Sequence, residues 1–314
     1  MHNAFHSKSS PQARQDDIDH TLTVVIVALV GGEALDRCIS GVRGLGYPFI
    51  VVDEQAIRNS EGQEVRSGPG KLSVPDRRRL GAEQVTTEFV AFIEDTAVPC
   101  ATWGDAILSA LSDPAVAAVG GPVSVSAELG ARFRALGLCE YGRFQAHRFS
   151  TLAADSPIRG KRLTVCALPG VNFAFKREIL LTSLPNPDDG LVDNEVFARL
   201  RNEGYKLALE PTMSVVYRES HSKGAQLTTR YHHGRIYASG VVRGRPLLPK
   251  LMSALKSFAL PIVLSIRTLQ EARRVFRRDP ATVAWIFAQH LSWSVGEFVG
   301  SISGPSRRGL EHWT

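Results

Sequence analysis

The chain has no paired cysteines. Its four, Cys38, Cys100, Cys139 and Cys166, stand far apart and form no C-x-x-C. That spacing argues against both a zinc site and a disulfide framework, and predicts reduced, mostly buried thiols. The chain also lacks G-x-G-x-x-G behind its first apolar run, and it contains no G-x-x-x-x-G-K-[ST]. Neither the dinucleotide fingerprint nor a phosphate loop is therefore present, and Gly31-Gly32 by itself reads as a turn. Residues 1–20 lack any apolar period and any basic start followed by an apolar stretch of signal-peptide length. They are predicted to form a disordered tail, and the main domain is predicted to stay unexported.

What is present supports a large core, since 314 residues with 44% apolar and 22% charged can bury one. From Thr21 the run TLTVVIVALV has the pattern of a strand covered on both faces. Leu35, Cys38, Ile39 and Val42 follow at helical spacing, and PFIVVDEQ reads as a second strand, which completes a βαβ unit. A helix over DRRRLGAEQVTTE leads to the strand FVAFIED, and the helix AILSALSD leads to the strand VAAVGGPV. LPGVNFAFKREIL reads as a strand entering a helix. GLVDNEVFARLRNEGYKLALEP reads as a helix with Val192, Val196, Phe197 and Leu200 on its apolar face, stopped at Gly204 and followed by a strand. The fold class is therefore α/β, a mixed, mainly parallel sheet with flanking helices over residues 21–240. Ligands of such sheets gather outside the carboxyl ends of the strands. Asp53, Glu94, Asp95 and the Gly120-Gly121-Pro122 turn fall there.

Glu94 and Asp95 offer the oxygen ligands a hard divalent cation takes, although loop and helix starts also attract acids for capping. Asp193 and Glu195 fall in the first turn of their helix, where the helix dipole favours the ionised form that a general base must occupy. The plain alternative is that both are only favourable helix-start charges. His221, His232 and His233, with Arg230 and Arg235, are either site groups or parts of a solvated polar segment. Tyr141, Arg143 and Trp103 are either cleft-lining or packing residues.

Taken in order, these segments resemble the family 2 glycosyltransferases, which have the GT-A fold. The segments that carry the resemblance are Val51-Val52-Asp53, Arg78-Arg79-Leu80-Gly81, Glu94-Asp95-Thr96, Gly120-Gly121-Pro122, Pro169-Gly170-Val171-Asn172, and Val192-Asp193-Asn194-Glu195 with Arg199-Leu200. They span about Thr23 to Tyr217. The resemblance implies an inverting transfer of a sugar from a nucleotide diphosphate sugar to a hydroxyl of a lipid-linked or polysaccharide acceptor. It implies Asp193 as general base and Asp53, Arg78, Glu94 and Asp95 around the donor. It implies Glu94 and Asp95 as ligands of Mg2+ or Mn2+, and Trp103, Gly170, Asn172 and Glu195 at the acceptor, with His221 and Arg230 as further candidates. Three positions depart from the family pattern: Thr96 is neutral at the third acidic position, Val192 replaces a common Glu, and Arg79 stands where Asn is usual. Thr96 keeps a second reading open, that of a non-catalytic nucleotide-sugar-binding or scaffold protein with a degenerate metal site.

The net charge of +6 is concentrated in one stretch. Between Arg243 and Asp279 stand nine basic residues against two acidic ones, and the rest of the chain is close to neutral. Leu251, Leu255, Phe258, Ile262, Ile266 and Leu269 recur at spacings of three and four, with Lys256 and Arg267 on the flanks. Residues 281–302 are apolar enough in length to span a bilayer, but Gln289, His290 and Glu297 interrupt them. Residues 241–314 are therefore predicted to be amphipathic and hydrophobic helices against an anionic membrane surface, at its cytoplasmic face, peripheral or monotopic. A soluble helical pair packed on the main domain is the alternative. Nucleic acid is not an expected partner, and the sequence is silent on oligomeric state.

Overall fold

The first strand, β1 (Leu22–Val27), shows why this chain makes a covered sheet. Leu22, Val24 and Ile26 point into one apolar cluster, while Val25 and Val27 point into another on the opposite face. In this computed structural model the described residues are 21–67, 72–126, 128–145, 161–184, 191, 193–218, 226–272 and 279–304. The tail predicted over 1–20 lies outside them.

β1 pairs in parallel with β2 (Phe49–Val52) on one side and β5 (Phe89–Glu94) on the other. Beyond β2 come β3 (Ala56–Arg58) and β4 (Glu64–Ser67), an antiparallel edge absent from the sequence reading. Beyond β5 come β10 (Asn172–Lys176), β7 (Val116–Gly120), β11 (Lys206–Leu209) and β9 (Leu163–Val165). β4, β2, β1, β5, β7 and β11 point one way, and β3, β10 and β9 point the other. The sheet is therefore mixed and mainly parallel. A second, three-stranded sheet joins β6 (Ala97–Pro99), β12 (Val215–Tyr217) and β8 (Val123–Val125).

Helices α1 (Gly32–Arg43) and α3 (Trp103–Leu111) cover one face of the large sheet through Cys38, Val42, Ile107 and Leu111. Helices α2 (Val74–Gln84), α5 (Arg177–Thr182) and α6 (Asp193–Asn202) cover the other through Leu80, Leu180, Phe197 and Leu200. α2 starts at a capping box, in which the Ser73 side chain accepts from the Asp76 amide and Asp76 accepts from the Ser73 amide. A Cβ at Gly81 would lie 2.5 Å from Val25, so this glycine lets α2 settle onto β1. That close approach carries Arg77 and Arg78, earlier on the same helix, in under the strand ends.

A third layer is helical. It comprises α4 (Ala131–Tyr141), α7 (Gln226–Val241), α8 (Leu247–Ser257), α9 (Leu260–Ala272) and α10 (Pro280–Ser303). The apolar stripe of the tail is not one helix, because it turns by 53° between α8 and α9. α7 and α10 touch backbone to backbone. Cβ atoms added at Gly234, Gly296 and Gly300 would lie 2.1, 2.0 and 2.1 Å from the carbonyl oxygens of Trp293, Tyr231 and Arg235. Gly296→Val therefore must push the helices apart, and a loss of about 1–3 kcal/mol or more is expected, read as a lowered midpoint in denaturant titration.

Candidate functional site

Arg78 is the centre of the candidate site. Only 4% of its surface is exposed, and it lies against the Phe173 ring, 5.2 Å from the centroid. Its Nη1 donates to the Asp193 carboxylate at 2.6 Å, and its Nη2 donates to Glu94 at 2.8 Å and to the Gly170 carbonyl at 2.8 Å. One guanidinium thus joins α2, the end of β5, the start of α6 and the turn before β10. A side chain at Gly170 would crowd this cluster, since a Cβ would sit 3.0 Å from the Asp193 carboxylate and 3.5 Å from Arg78 Nη2. The two carboxylates keep an open edge, with 12% of the Glu94 side chain and 19% of the Asp193 side chain accessible.

Burial raises both carboxyl groups above their ordinary pKa, and the adjacent Arg78 opposes it in each case. For Glu94 the balance is a pKa of about 7, with Glu140, Asp193 and Asp95 adding to the rise. Folded protein therefore holds a proton on Glu94 that the unfolded chain, at 4.5, releases. Between these values stability contributed by this group falls as pH rises. Glu94→Gln should remove that part of the slope, measured as thermal midpoints across pH 4.5 to about 7.

Asp53 ends β2. Its carboxylate accepts from the Gln55 and Ala56 amides at 2.8 Å each and pairs with Arg58. Burial works against its ionisation, but those amides and Arg58 prevail and hold its pKa below the usual value. Asp53 and Asp95 flank the end of β1, since Val27 pairs with Val52 on one side and Glu94 on the other. Two strand spacings put them about 10 Å apart. Asp53 and Asp95 thus stand in one row of strand ends, and Asp193, at the start of α6, is tied to that row through Arg78 and Glu94.

Several expected roles find a different geometry. Asp95 is 2% exposed, and its carboxylate accepts three backbone amides of the loop after β1: Leu29 and Val30 at 2.9 Å and Gly31 at 2.8 Å. Its oxygens hold that loop rather than facing a ligand. Thr96 is equally buried and lies 3.4 Å from Glu94 through its hydroxyl. The Mg2+ or Mn2+ site expected at Glu94 and Asp95 is thus not assembled: Asp95 is engaged with amides and Glu94 with Arg78. Among the described residues no three His, Cys, Asp or Glu side chains gather as a metal would require.

The acceptor expectations for Trp103 and Asn172 also meet an interior arrangement. Both are 0% exposed; Trp103 Nε1 donates to Asn172 Oδ1 at 2.8 Å, and Asn172 Nδ2 donates to the Met213 carbonyl at 2.7 Å. Their polar atoms satisfy one another and the backbone. Glu195 is exposed one face away from Asp193. Arg230 is buried on α7, stacks on Trp293 at 4.5 Å and lies 3.7 Å from Glu140, so it braces helices around the site instead of lining it. His221 lies outside the described residues.

Arg77 and Glu140, which carry no expectation from the sequence, also stand near the site, together with the expected candidate Tyr141. Arg77, 3% exposed, donates to the Ala28 carbonyl and lies in the field of Asp53, Glu54 and Asp95. On α4, Glu140 lies within the electrostatic reach of Glu94, and burial together with Glu94 drives the Tyr141 hydroxyl well above its usual pKa. The adjacent arginines 77 to 79 were a visible signal for Arg77. Glu140 carried none, since it stands in an unremarkable helix.

No protein-family model and no curated protein sequence matches the chain. The fold is similar to the solved structure of GalNAc-T7 with UDP, GalNAc and Mn2+, at 13% identity and a TM-score of 0.47. That match covers 63% of this chain and 44% of the other, so the chain spans less than half of that protein. It is also similar to the mannosyltransferase PcManGT from Pyrobaculum calidifontis in complex with GDP-Man and Mn2+, at 17% identity and a TM-score of 0.48, covering 88% and 86%.

Proposed function

We propose that the chain is an inverting GT-A glycosyltransferase that moves a sugar from a nucleotide diphosphate sugar to a hydroxyl of a lipid-linked or polysaccharide acceptor. The observation that carries this reading is the Arg78 guanidinium shared by Glu94 and Asp193 beside an open edge at the strand ends. The ordered motif series from Asp53 to Asp193 supports it from the sequence.

In this reading Asp193 removes the acceptor hydroxyl proton. The freed oxygen attacks the anomeric carbon on the face opposite the diphosphate, and the carbon–oxygen bond to the diphosphate breaks with its electron pair leaving on the nucleotide. A single displacement inverts the anomeric centre, and Asp193 afterwards returns its proton to water. Asp193 is suited to this, because the Arg78 N–H and the positive end of α6 favour its carboxylate form against burial. In this reading Arg78, a buried cation, offsets charge that builds on the leaving group, and Asp53 offers an acceptor to a nucleoside hydroxyl or base N–H.

The test is a panel of nucleotide sugars offered to wild type and Asp193→Asn, with donor binding by calorimetry and turnover by nucleotide release. Binding by both with turnover only in wild type is the expected result. Binding by both with no turnover under any acceptor would leave the scaffold reading, which Thr96 motivates. Absence of donor binding overturns both.

A further inference from the structure

Helix α10 is inside out. Apart from Ile286 and two glycines, the side it buries against α4, α7, α8 and α9 is polar, with Thr282, Gln289, His290, Ser294 and Ser301, while the side it leaves uncovered carries Val283, Phe287, Leu291, Val295 and Ile302. A helix on a protein in water has the reverse arrangement. The inward polar groups are partly matched to one another: His290 Nε2 lies 2.9 Å from the Thr268 hydroxyl, and Ser294 donates to the His290 carbonyl at 2.6 Å. The amide of Gln289 has no partner at 0% exposure among the described residues. Gln289 and His290, which interrupt the apolar run in the sequence, are therefore hidden from whatever meets the outer face.

The neighbouring pair continues this surface. On α8, α9 and the turn between them the uncovered residues include Leu247, Leu251, Leu255, Phe258, Ile262 and Ile266, of which Leu247 and Phe258 each keep 70% of their surface open. An apolar area of this extent on a soluble monomer marks a contact surface. At helical steps of 100°, Lys250 and Lys256 stand on the two edges of the α8 face, and Arg267 stands at an edge of the α9 face.

We propose that this face is embedded in one leaflet of a lipid bilayer, with anionic headgroups against Lys250, Lys256 and Arg267. Charge selects lipid over a second copy of the chain. Residues 247–270 contain no Asp or Glu, and a two-fold contact would bring this face against itself, setting these cations against their own kind. Anionic headgroups supply the missing sign. One-sided exposure selects one leaflet. α8 has 11 residues and α9 has 13, the pair is bent by 53°, and its inner side, with Ala254, Ser257, Ser265 and Thr268, is buried against the protein. Each arm is about 16–20 Å long, so neither alone crosses the roughly 30 Å hydrocarbon core, although the bent pair together has the length and apolar character of a broken span or a re-entrant loop. Among the described residues no single helix is long and apolar enough to cross a membrane. The inference rests on the helical layer alone and stands or falls separately from glycosyl transfer.

The experiment is flotation of the full chain with vesicles of phosphatidylcholine mixed with phosphatidylglycerol, and with vesicles of phosphatidylcholine alone. Wild type should float with the anionic vesicles. Leu251→Glu with Ile262→Glu, and separately Leu291→Glu, should reduce the bound fraction about tenfold or more while thermal unfolding stays that of wild type, because these positions face outward. Lys250→Glu, Lys256→Glu and Arg267→Glu should each weaken binding to the anionic vesicles by about fivefold. The proposal is overturned if wild type stays with the soluble fraction, or if the glutamate variants float as well as wild type. It is also overturned if wild type is a dimer that Leu291→Glu dissociates with no vesicle binding, which would assign the face to a second copy.

Discussion

Asp193→Asn should leave donor binding close to wild type and lower turnover by about 10²–10⁴-fold, the range a positioned general base supplies. The substitution keeps an oxygen where Arg78 Nη1 now donates at 2.6 Å, so the arginine and its contacts to Glu94 and Gly170 keep their places. What is removed is the ability to take a proton. A role confined to helix-start charge predicts a different outcome, with a small loss of stability and unchanged turnover. The pH profile separates the two further. Burial raises the Asp193 pKa while Arg78 pulls it back. Wild-type turnover should therefore rise with pH through an ionisation above the ordinary range of aspartate, and the residual activity of Asp193→Asn should lack that limb. A variant that keeps wild-type turnover sinks the assignment of the base.

Arg78→Met should be the most destabilising single change at the site, by about 3–5 kcal/mol. It leaves two buried carboxylates without their shared counter-charge. The unbranched thioether side chain still packs against Phe173, so the loss measures charge rather than a cavity. With the guanidinium gone, both Glu94 and Asp193 move further above their unfolded values. The folded variant then binds more protons than the unfolded chain, and its stability should fall as pH rises through neutrality. Adding Asp193→Asn and Glu94→Gln to Arg78→Met should restore part of the loss, because no buried charge then lacks a partner. Arg78→Lys should recover little, since one ammonium cannot donate along three fixed directions to Asp193, Glu94 and the Gly170 carbonyl. Urea titrations of the four proteins over a pH series measure all of this. Midpoints indistinguishable from wild type would mean that the Arg78 cluster is not an energetic unit.

Local pattern was a reliable guide where burial on both faces or helical spacing leaves a periodic trace. β1, β2, β5 and α6 stand where TLTVVIVALV, PFIVVDEQ, FVAFIED and VDNEVFARL place them. The β3–β4 edge was missed because its three and four residues are too short to show a period. The 16-residue α7 has the sequence of a polar stretch, because its buried side is lined by Gln226, Thr229, Arg230 and Gly234 rather than by large apolar groups. The bend after Phe258 did leave a trace, Pro261 at the second residue of α9, but the apolar spacing runs through it unbroken and hides it.

The order of the acidic positions, the strands that end in them and the basic, apolar character of the tail were all written in neighbouring residues, because each depends on local spacing. The direction in which each of two adjacent acids turns was not. Asp95 turns to amides 64 to 66 residues away and Glu94 to a guanidinium, a choice made by partners brought in from elsewhere. The Arg78–Asp193 pair spans 115 residues, and the polarity of α10 has meaning only once α7 covers one side of it. A composition says how much charge and apolar surface a segment carries; the direction in which each group points is fixed by packing against segments remote in the chain.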